Sequence, residues 1–176
     1  MGGMYSLIQY TSFKPLPDFW ASVLHKRLMG VAVLDVAGSL QMGRTVRIWA
    51  SCTHKNAAAP RGAVTLLILN TQAVTTTVQP VSNNRDLLAG GWDEYLLTPA
   101  DATAGLSSPD VALNGVVLSM VAPTGPNPAL PKLAARPRTG SELTLPGLSF
   151  GFFGANSFGP LAAIAVAWLH CMQIDR

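Results

Sequence analysis

The hydrophobic pattern of this chain changes its period at Gly30, and this change constrains the fold more than any other feature. Before Gly30 the apolar residues recur about every 3.6 positions, as they do on a helix. They are Trp20, Val23, Leu24 and Leu28. Pro17-Asp18 suits a first helical turn, Lys26-Arg27 suits a last one, and a following glycine is a common stop signal. The sequence therefore predicts one helix between Pro17 and Gly30.

After Gly30 the period falls to about 2, which is the period of strands with one buried face. Strands are predicted at positions 31–36, 46–52, 64–69, 74–78, 92–97, 143–145, 148–153 and 162–169. Asn114-Gly115 separates two apolar runs and predicts a tight hairpin, because both turn positions need a positive φ. The proline-rich stretch 123–137 is interpreted as a surface connection. Together these elements predict an all-β fold, an antiparallel β-sandwich of about eight strands preceded by one α-helix.

Charged residues are sparse, at 12% of the 176 residues, against about 25% in an average soluble protein. The Lys and Arg residues are scattered, with Lys26-Arg27 as the one adjacent pair, whereas a nucleic-acid groove needs a denser basic stripe. We therefore expect no nucleic-acid partner. Residues 1–10 lack the basic and apolar regions of a secretory signal, so a secreted parent protein is expected to carry its signal upstream.

The apolar run from Pro160 to Leu169 raises the question of membrane contact. Its length is about half of the roughly twenty residues that a membrane-spanning helix needs. A buried last strand is therefore the favoured interpretation. A membrane anchor stays open as the alternative, because a window that extends back to Leu148 reaches spanning length.

The two cysteines, Cys52 and Cys171, are too far apart for the close spacing of a zinc or redox motif. Two buried thiols and one long-range disulfide both remain possible on this evidence. His54 and His170 would complete a set of four metal ligands if the segments met in space. Adjacent residues on strands point to opposite faces, however, so we predict no metal site and no cofactor.

The chain has two glutamates, Glu94 and Glu142, and lacks the motifs of serine hydrolases, P-loop proteins, zinc proteases and dinucleotide-binding folds. A retaining glycosidase needs two carboxyl groups about 5 Å apart across a cleft. Asp93 and Glu94 are neighbours on a predicted strand and so point to opposite faces. We therefore expect no catalytic residue within this chain.

Short motifs nevertheless follow one another in a suggestive order. They are Gly2-Gly3-Met4-Tyr5, Pro15-Leu16-Pro17-Asp18-Phe19-Trp20, His25-Lys26-Arg27-Leu28-Met29-Gly30, Arg47-Ile48-Trp49-Ala50-Ser51-Cys52-Thr53, Glu94-Tyr95-Leu96-Leu97, Leu113-Asn114-Gly115, Leu145-Pro146 and Phe152-Phe153. In order and spacing they resemble the heparanase family, whose members are retaining endo-β-glucuronidases that cut heparan-sulfate-type glycans, with plant and fungal relatives. The resemblance covers about positions 2–153.

This resemblance implies a (β/α)₈ catalytic barrel followed by a C-terminal β-sandwich. Residues 1–30 would be the last loop and helix of a truncated barrel, and residues 31–176 would be the sandwich domain. The two catalytic glutamates would lie upstream of Met1. The helix would then be orphaned, because its apolar face would be meant for a barrel sheet that this chain lacks.

The resemblance also assigns roles to individual residues. Gly3 and Tyr5 match a glycan-contacting loop at the rim of the active site, although Met4 stands where asparagine is usual. Cys52 matches a cysteine that forms a disulfide with the family's C-terminal cysteine, which implies a pair with Cys171. The family's basic cluster is reduced here to Arg44 and Arg47, so strong heparin binding is not expected.

The sequence thus predicts the non-catalytic, C-terminal part of a heparanase-like glycoside hydrolase. Its expected partners are the upstream catalytic barrel and a uronide-containing polysaccharide at the rim loop. The parent protein is expected to be extracellular, lysosomal or membrane-associated. The alternative is a stand-alone β-sandwich that serves as a binding or interaction module without hydrolase activity.

Overall fold

A computed structural model describes residues 6–36, 45–57, 59–60, 62–82, 85–122 and 127–155 of the chain. Helix α1 spans Pro17–Leu28, and a 3-10 turn spans Gly105–Ser107. The strands in chain order are β1 (Met29–Leu34), β2 (Val46–Thr53), β3 (Val64–Asn70), β4 (Thr76–Val78), β5 (Val81–Ser82), β6 (Arg85–Asp86), β7 (Trp92–Pro99), β8 (Val111–Leu113), β9 (Val116–Val117), β10 (Arg136–Arg138), β11 (Leu143–Leu145) and β12 (Ser149–Ala155).

The main sheet is antiparallel and has eight strands in the order β1-β2-β3-β12-β7-β8-β9, with β10 pairing the free half of β7. Strands β4 and β11 form a second, two-stranded sheet, and β5 pairs with β6. The last described strand, β12, is inserted between β3 and β7 and therefore joins the two halves of the main sheet. The predicted all-β, antiparallel class is confirmed.

One core lies between the main sheet and the small β4–β11 sheet. Ile68 and Phe153 on the central strands are fully buried, and Leu145 on β11 is buried opposite them. Ile68 and Phe153 project from the same face of the main sheet, so this inner face is shielded from water. Two layered sheets around one apolar core make this part a β-sandwich.

A second core lies on the outer face of the main sheet, beneath α1. Trp20 and Leu24 on the helix are 2% and 1% exposed, and they pack with Leu97 on β7 and Phe152 on β12. The expectation of an orphaned helix is therefore wrong. The helix keeps its apolar stripe covered because the outer face of the sandwich offers matching large side chains.

The predicted role of Gly30 needs a correction as well. The helix ends at Leu28, and Met29 already has an extended conformation, so Gly30 lies within β1 and is not the helix stop. A Cβ at position 30 would lie 2.5 Å from the backbone oxygen of Cys52. The glycine is required by the close approach of β1 to β2.

The Asn114-Gly115 hairpin is confirmed: both residues have positive φ, and they join β8 to β9. The stretch 123–137 is not wholly a surface connection, because Arg136–Arg138 forms β10. Proline is tolerated at position 137 because β10 pairs on one side only, with β7. The predicted strand at 162–169 lies outside the described residues.

Candidate functional site

The outer face of the main sheet carries two depressions, one on each flank of α1. The first, here called the Trp49 groove, has a volume of about 410 Å³ and a mostly apolar lining. Its walls are Ala21, Ser22, His25, Trp49, Leu67, Leu69, Phe150 and Phe152. Trp49 is 46% exposed although it lies mid-strand on β2. A large, partly uncovered aromatic side chain beside other apolar groups is typical of a contact surface.

The second depression, here called the Arg27 cleft, is larger, at about 740 Å³, and more polar. Lys26 and Arg27 line it from the last turn of α1, together with His54 beyond β2 and Tyr95 on β7. Burial raises the pKa of the Tyr95 phenol, Asp93 raises it further, and Arg27 partly offsets both. Tyr95 therefore stays a neutral hydrogen-bonding group throughout the physiological range.

A buried ion cluster joins β7 to the edge strand β10. Glu94 is 5% exposed, and its Oε1 atom accepts hydrogen bonds from Arg136 Nε at 2.8 Å and from Arg136 Nη2. Arg138 approaches the same oxygen at 3.4 Å. The register places both arginines on the face of Glu94, because β10 pairs Arg136 with Glu94 and Arg138 with Trp92. The buried carboxylate therefore has cationic hydrogen-bond partners, and these ion pairs link β10 to β7.

Asn114 reinforces the same part of β7 from the hairpin. Its Oδ1 accepts a hydrogen bond from the backbone N–H of Leu96 at 2.9 Å, and its Nδ2 donates to the carbonyls of Glu94 and Ala134. These bonds satisfy backbone groups of β7 that lie between the residues paired with β10 and the residues paired with β8. The side chain thus substitutes for backbone partners that neither strand supplies there.

The loop before α1 is tied to the sandwich. An isolated bridge joins Ile8 to Pro15, and Lys14 Nζ lies 2.6 Å from a carboxylate oxygen of Asp110, next to β8. Tyr10 and Phe13 project from this loop and are 91% and 78% exposed. The predicted glycan-contacting residues, Gly3 and Tyr5, lie just upstream and outside the described residues, so their role stays a prediction.

The remaining predicted site residues do not come together. Cys52 is buried in the core between the sheets, whereas His54 lines the Arg27 cleft on the opposite face. Cys171 and His170 lie outside the described residues, so the predicted disulfide stays untested. Within the described ranges no group of three or more His, Cys, Asp or Glu side chains could hold a metal ion. Those ranges also contain no helix that is both long and apolar enough to cross a membrane.

The sequence alone did not predict two of these features. The alternation Arg136-Pro137-Arg138 is the sequence signal for a strand that carries the partners of Glu94. The proline in this run argued against a strand. The alternation Arg47-Ile48-Trp49 placed Trp49 on the outer face of β2, but no sequence pattern shows that α1 leaves this part of the face uncovered.

The sequence comparisons find heparanases among the relatives of this chain. No protein-family model matches the chain. Heparanase of Gallus gallus is 38% identical over 163 residues, which cover 92% of this chain and 30% of the relative. Inactive heparanase-2 of Mus musculus is 37% identical over 169 residues, which cover 90% and 27%.

A crystal structure of a glycoside hydrolase family 30 subfamily 8 xylanase from Clostridium acetobutylicum aligns with 89% of this chain and 32% of its own, at 14% identity and a TM-score of 0.48. The sequence matches are much stronger, and they extend over nearly the whole chain at more than 35% identity. The chain therefore belongs to the heparanase family, and it spans about 30% of the length of the curated relatives it matches.

Proposed function

We propose that this chain is the C-terminal, non-catalytic β-sandwich of a heparanase-like glycoside hydrolase. The parent protein would hydrolyse β-glucuronide linkages in glycans by a retaining mechanism, with two glutamates in an upstream (β/α)₈ barrel. The observation that carries the proposal is the coverage. The chain aligns along 92% of its own length with only 30% of Gallus gallus heparanase, so most of that relative has no counterpart in these 176 residues.

The carboxylates of the described residues support a structural role for this part of the parent. Glu94 is buried against Arg136 and faces the core between the sheets, whereas Asp93 belongs to the other face of β7. A retaining pair needs two carboxyl groups about 5 Å apart with the substrate between them. Asp93 and Glu94 cannot form such a pair with each other, because they project from opposite faces of the strand and Glu94 is bound by Arg136.

The chromogenic β-glucuronide assay tests this proposal most directly. The chain alone is expected to hydrolyse the substrate no faster than buffer does, and Glu94→Gln should leave that baseline unchanged. The source transcript, sequenced upstream of Met1, is expected to encode a barrel with two strand-end glutamates, one preceded by asparagine. Hydrolysis by the chain alone would contradict the proposal, and so would an upstream sequence without such a barrel.

A glycan partner follows from the same proposal. Gly3 and Tyr5 would orient a sugar carboxylate or hydroxyl at the rim of the active site, through a backbone N–H and a phenol. The loop that follows these two residues is held to the sandwich by the ion pair between Lys14 and Asp110. In the parent protein, Tyr5→Phe should raise KM for a uronide substrate more than it changes kcat, and an unchanged KM would contradict the assignment.

We also propose that Cys52 and Cys171 form a disulfide and that the parent protein is exported, to the cell exterior, a lysosome or a membrane surface. Cys52 is held in the core between the sheets, where a long-range crosslink would restrain β2. Such a bond persists in oxidising compartments. Titration of the denatured, unreduced protein is expected to find no free thiol, and two free thiols would contradict the pairing.

A second candidate is a stand-alone or non-hydrolytic binding module. It is favoured by the relative named inactive heparanase-2, which is 37% identical to this chain, nearly as similar as the heparanase of Gallus gallus. The upstream sequence separates the two proposals. An upstream sequence without a barrel would favour the stand-alone module, and a barrel that lacks one of the two glutamates, together with saturable glycan binding and no turnover, would favour a non-hydrolytic parent protein.

A further inference from the structure

The Arg27 cleft has an apolar floor beneath a cationic rim. The floor consists of Leu24 and Leu28 on α1 and of Leu133 on the stretch that leads to β10, and all three are buried. Val23 and Leu130 extend this apolar lining. The volume of about 740 Å³ lies in the range of sites that bind small molecules. The apolar body of a ligand would therefore find matching contacts here.

The lining of the cleft is held in place by hydrogen bonds to its backbone. The backbone N–H of His54 donates to the carbonyl of Leu28 at 2.9 Å, which ties the end of β2 to the end of α1. The side-chain Nδ2 of Asn114 donates to the carbonyl of Ala134 at 3.3 Å, next to Leu133. The cleft is thus formed before any ligand binds, as is typical of small-molecule sites.

Four side chains bring hydrogen-bond donors to the cleft. Lys26 and Arg27 each carry a positive charge, and Tyr95 adds a phenol hydroxyl. The Nδ1 atom of His54 accepts a hydrogen bond from the backbone N–H of Asn56 at 3.2 Å. The neutral imidazole therefore carries its proton on Nε2, which is left to donate. The polar lining is rich in donors of one kind, those that an anion accepts from.

These donors lack acceptors among the residues that the structure describes. Within those residues neither Lys26 nor Arg27 forms an ion pair, and the Tyr95 hydroxyl has no hydrogen bond. After burial, Asp93 is the next cause that raises the pKa of Tyr95, so one carboxylate lies nearby. It offsets one of the two positive charges. The cleft keeps a positive balance, and a bound anion would receive charge-assisted hydrogen bonds.

The position of the cleft at the end of α1 works against an anion, because the last carbonyl groups of a helix carry partial negative charge. Two of these carbonyls are already hydrogen-bonded: the carbonyl of His25 accepts from Met29 N–H, and that of Leu28 accepts from His54 N–H. A helix end is equivalent to about half a unit charge. Together with Asp93 it does not cancel the two cations.

We infer that the Arg27 cleft binds a small organic anion with an apolar body, such as a medium-chain carboxylate. The carboxylate would accept hydrogen bonds from Arg27 and Tyr95, and the hydrocarbon chain would lie on the leucine floor. A sulfated polysaccharide fits less well, because polar sugar rings would cover the leucines without matching them. The inference does not rest on the proposed function, since every group in the cleft belongs to this chain.

Isothermal titration calorimetry of the 176-residue chain with octanoate tests the inference, and octan-1-ol serves as the neutral ligand of equal length. We expect one octanoate to bind per chain, about tenfold more tightly than octan-1-ol. Arg27→Gln should weaken octanoate binding about tenfold and leave octan-1-ol binding unchanged, and Tyr95→Phe should weaken octanoate about fivefold. Arg47→Gln makes the same change of charge on the outer face of β2, outside the cleft, and is the matched control.

Three results would overturn the inference. The first is equal affinity of the chain for octanoate and octan-1-ol, or undiminished octanoate binding by Arg27→Gln. The second is an equal loss of octanoate binding in Arg47→Gln, which would indicate general charge attraction. The third is binding of a heparin tetrasaccharide in place of octanoate that depends on Arg27, which would make the cleft part of a polyanion site. Urea midpoints that match wild type show that each variant is folded.

Discussion

Replacing Glu94 or either of its two arginine partners should destabilise the sandwich by different amounts. The order of these amounts shows which arginine is the main partner of Glu94. Arg136→Ala would leave Glu94 buried, with only the 3.4 Å contact to Arg138. Glu94→Gln would leave two arginines that are already 41% and 45% exposed and therefore able to hydrate. Arg138→Ala would leave the shorter contacts to Arg136 intact.

The magnitudes follow from burial. Removing the partner of a buried charge leaves that charge unpaired and costs about 3–5 kcal/mol. For Arg136→Ala we expect the lower end of this range because Arg136 is half exposed. Glu94→Gln exchanges a charge-assisted hydrogen bond for a neutral one, which costs about 1–2 kcal/mol. Arg138→Ala should cost less than about 1 kcal/mol, as for an exposed ion pair.

Urea-induced unfolding at neutral pH, followed by tryptophan fluorescence, measures these differences, with unchanged m-values as the check on two-state behaviour. The double variant Glu94→Gln with Arg136→Ala should cost less than the sum of its singles, because the stranded charge is gone. Equal costs for Arg136→Ala and Arg138→Ala, or an additive double variant, would refute the idea that Arg136 is the main partner of Glu94.

Four further predictions concern the two cores and the turns. Leu24→Ala should cost about 2–5 kcal/mol in urea unfolding, well above Val23→Ala on the half-buried flank, and equal costs would contradict the docking of α1. Asn114→Gly should cost about 1–3 kcal/mol through its lost hydrogen bonds, and Asn114→Ala about 1 kcal/mol more because of the positive φ; equal stability of the two variants would exclude strain. Gly30→Ala should cost about 1–3 kcal/mol, because its Cβ meets the backbone of Cys52, and a neutral effect would contradict that close approach. The folded-state pKa of Tyr95 is raised, so the contribution of its neutral phenol to the free energy of unfolding is complete below about pH 10 and is lost as the pH rises further. Between about pH 8 and 11 the Tyr95→Phe variant should therefore lose less stability than wild type. Parallel plots of unfolding free energy against pH for the two proteins would exclude this role.

Much of the fold is predictable from local patterns because the strands are amphipathic. β2, β7 and β12 alternate or carry β-branched and aromatic residues, and the Asn114-Gly115 turn has a backbone requirement that few other residues meet. The strands β5, β6 and β10 were not predicted, because two or three residues give no period. Their pairing is set by neighbours that are distant in sequence.

The site is less predictable, since it depends on which faces meet. The apolar stripe of α1 is visible in the sequence, but whether it packs on the sandwich or on a missing sheet is a question of tertiary contact. Leu97 on the outer face of β7 shares one core with Trp20, so the helix packs on the sandwich. The exposed state of Trp49 is likewise a property of what lies above it, and a single-sequence pattern carries no such information.

The docking of α1 has a consequence for how the chain comes apart. Trp20, Leu24 and Leu28 share one core with the sheet, so separating the helix from the strands exposes large apolar areas on both. Helix and sheet should therefore open together as one cooperative unit, with amide exchange in the buried turns of α1 as slow as in β12. Removing residues before Val31 would leave Phe152 and Leu97 uncovered. The shortened protein would then expose an apolar surface that helix α1 covers in the intact chain.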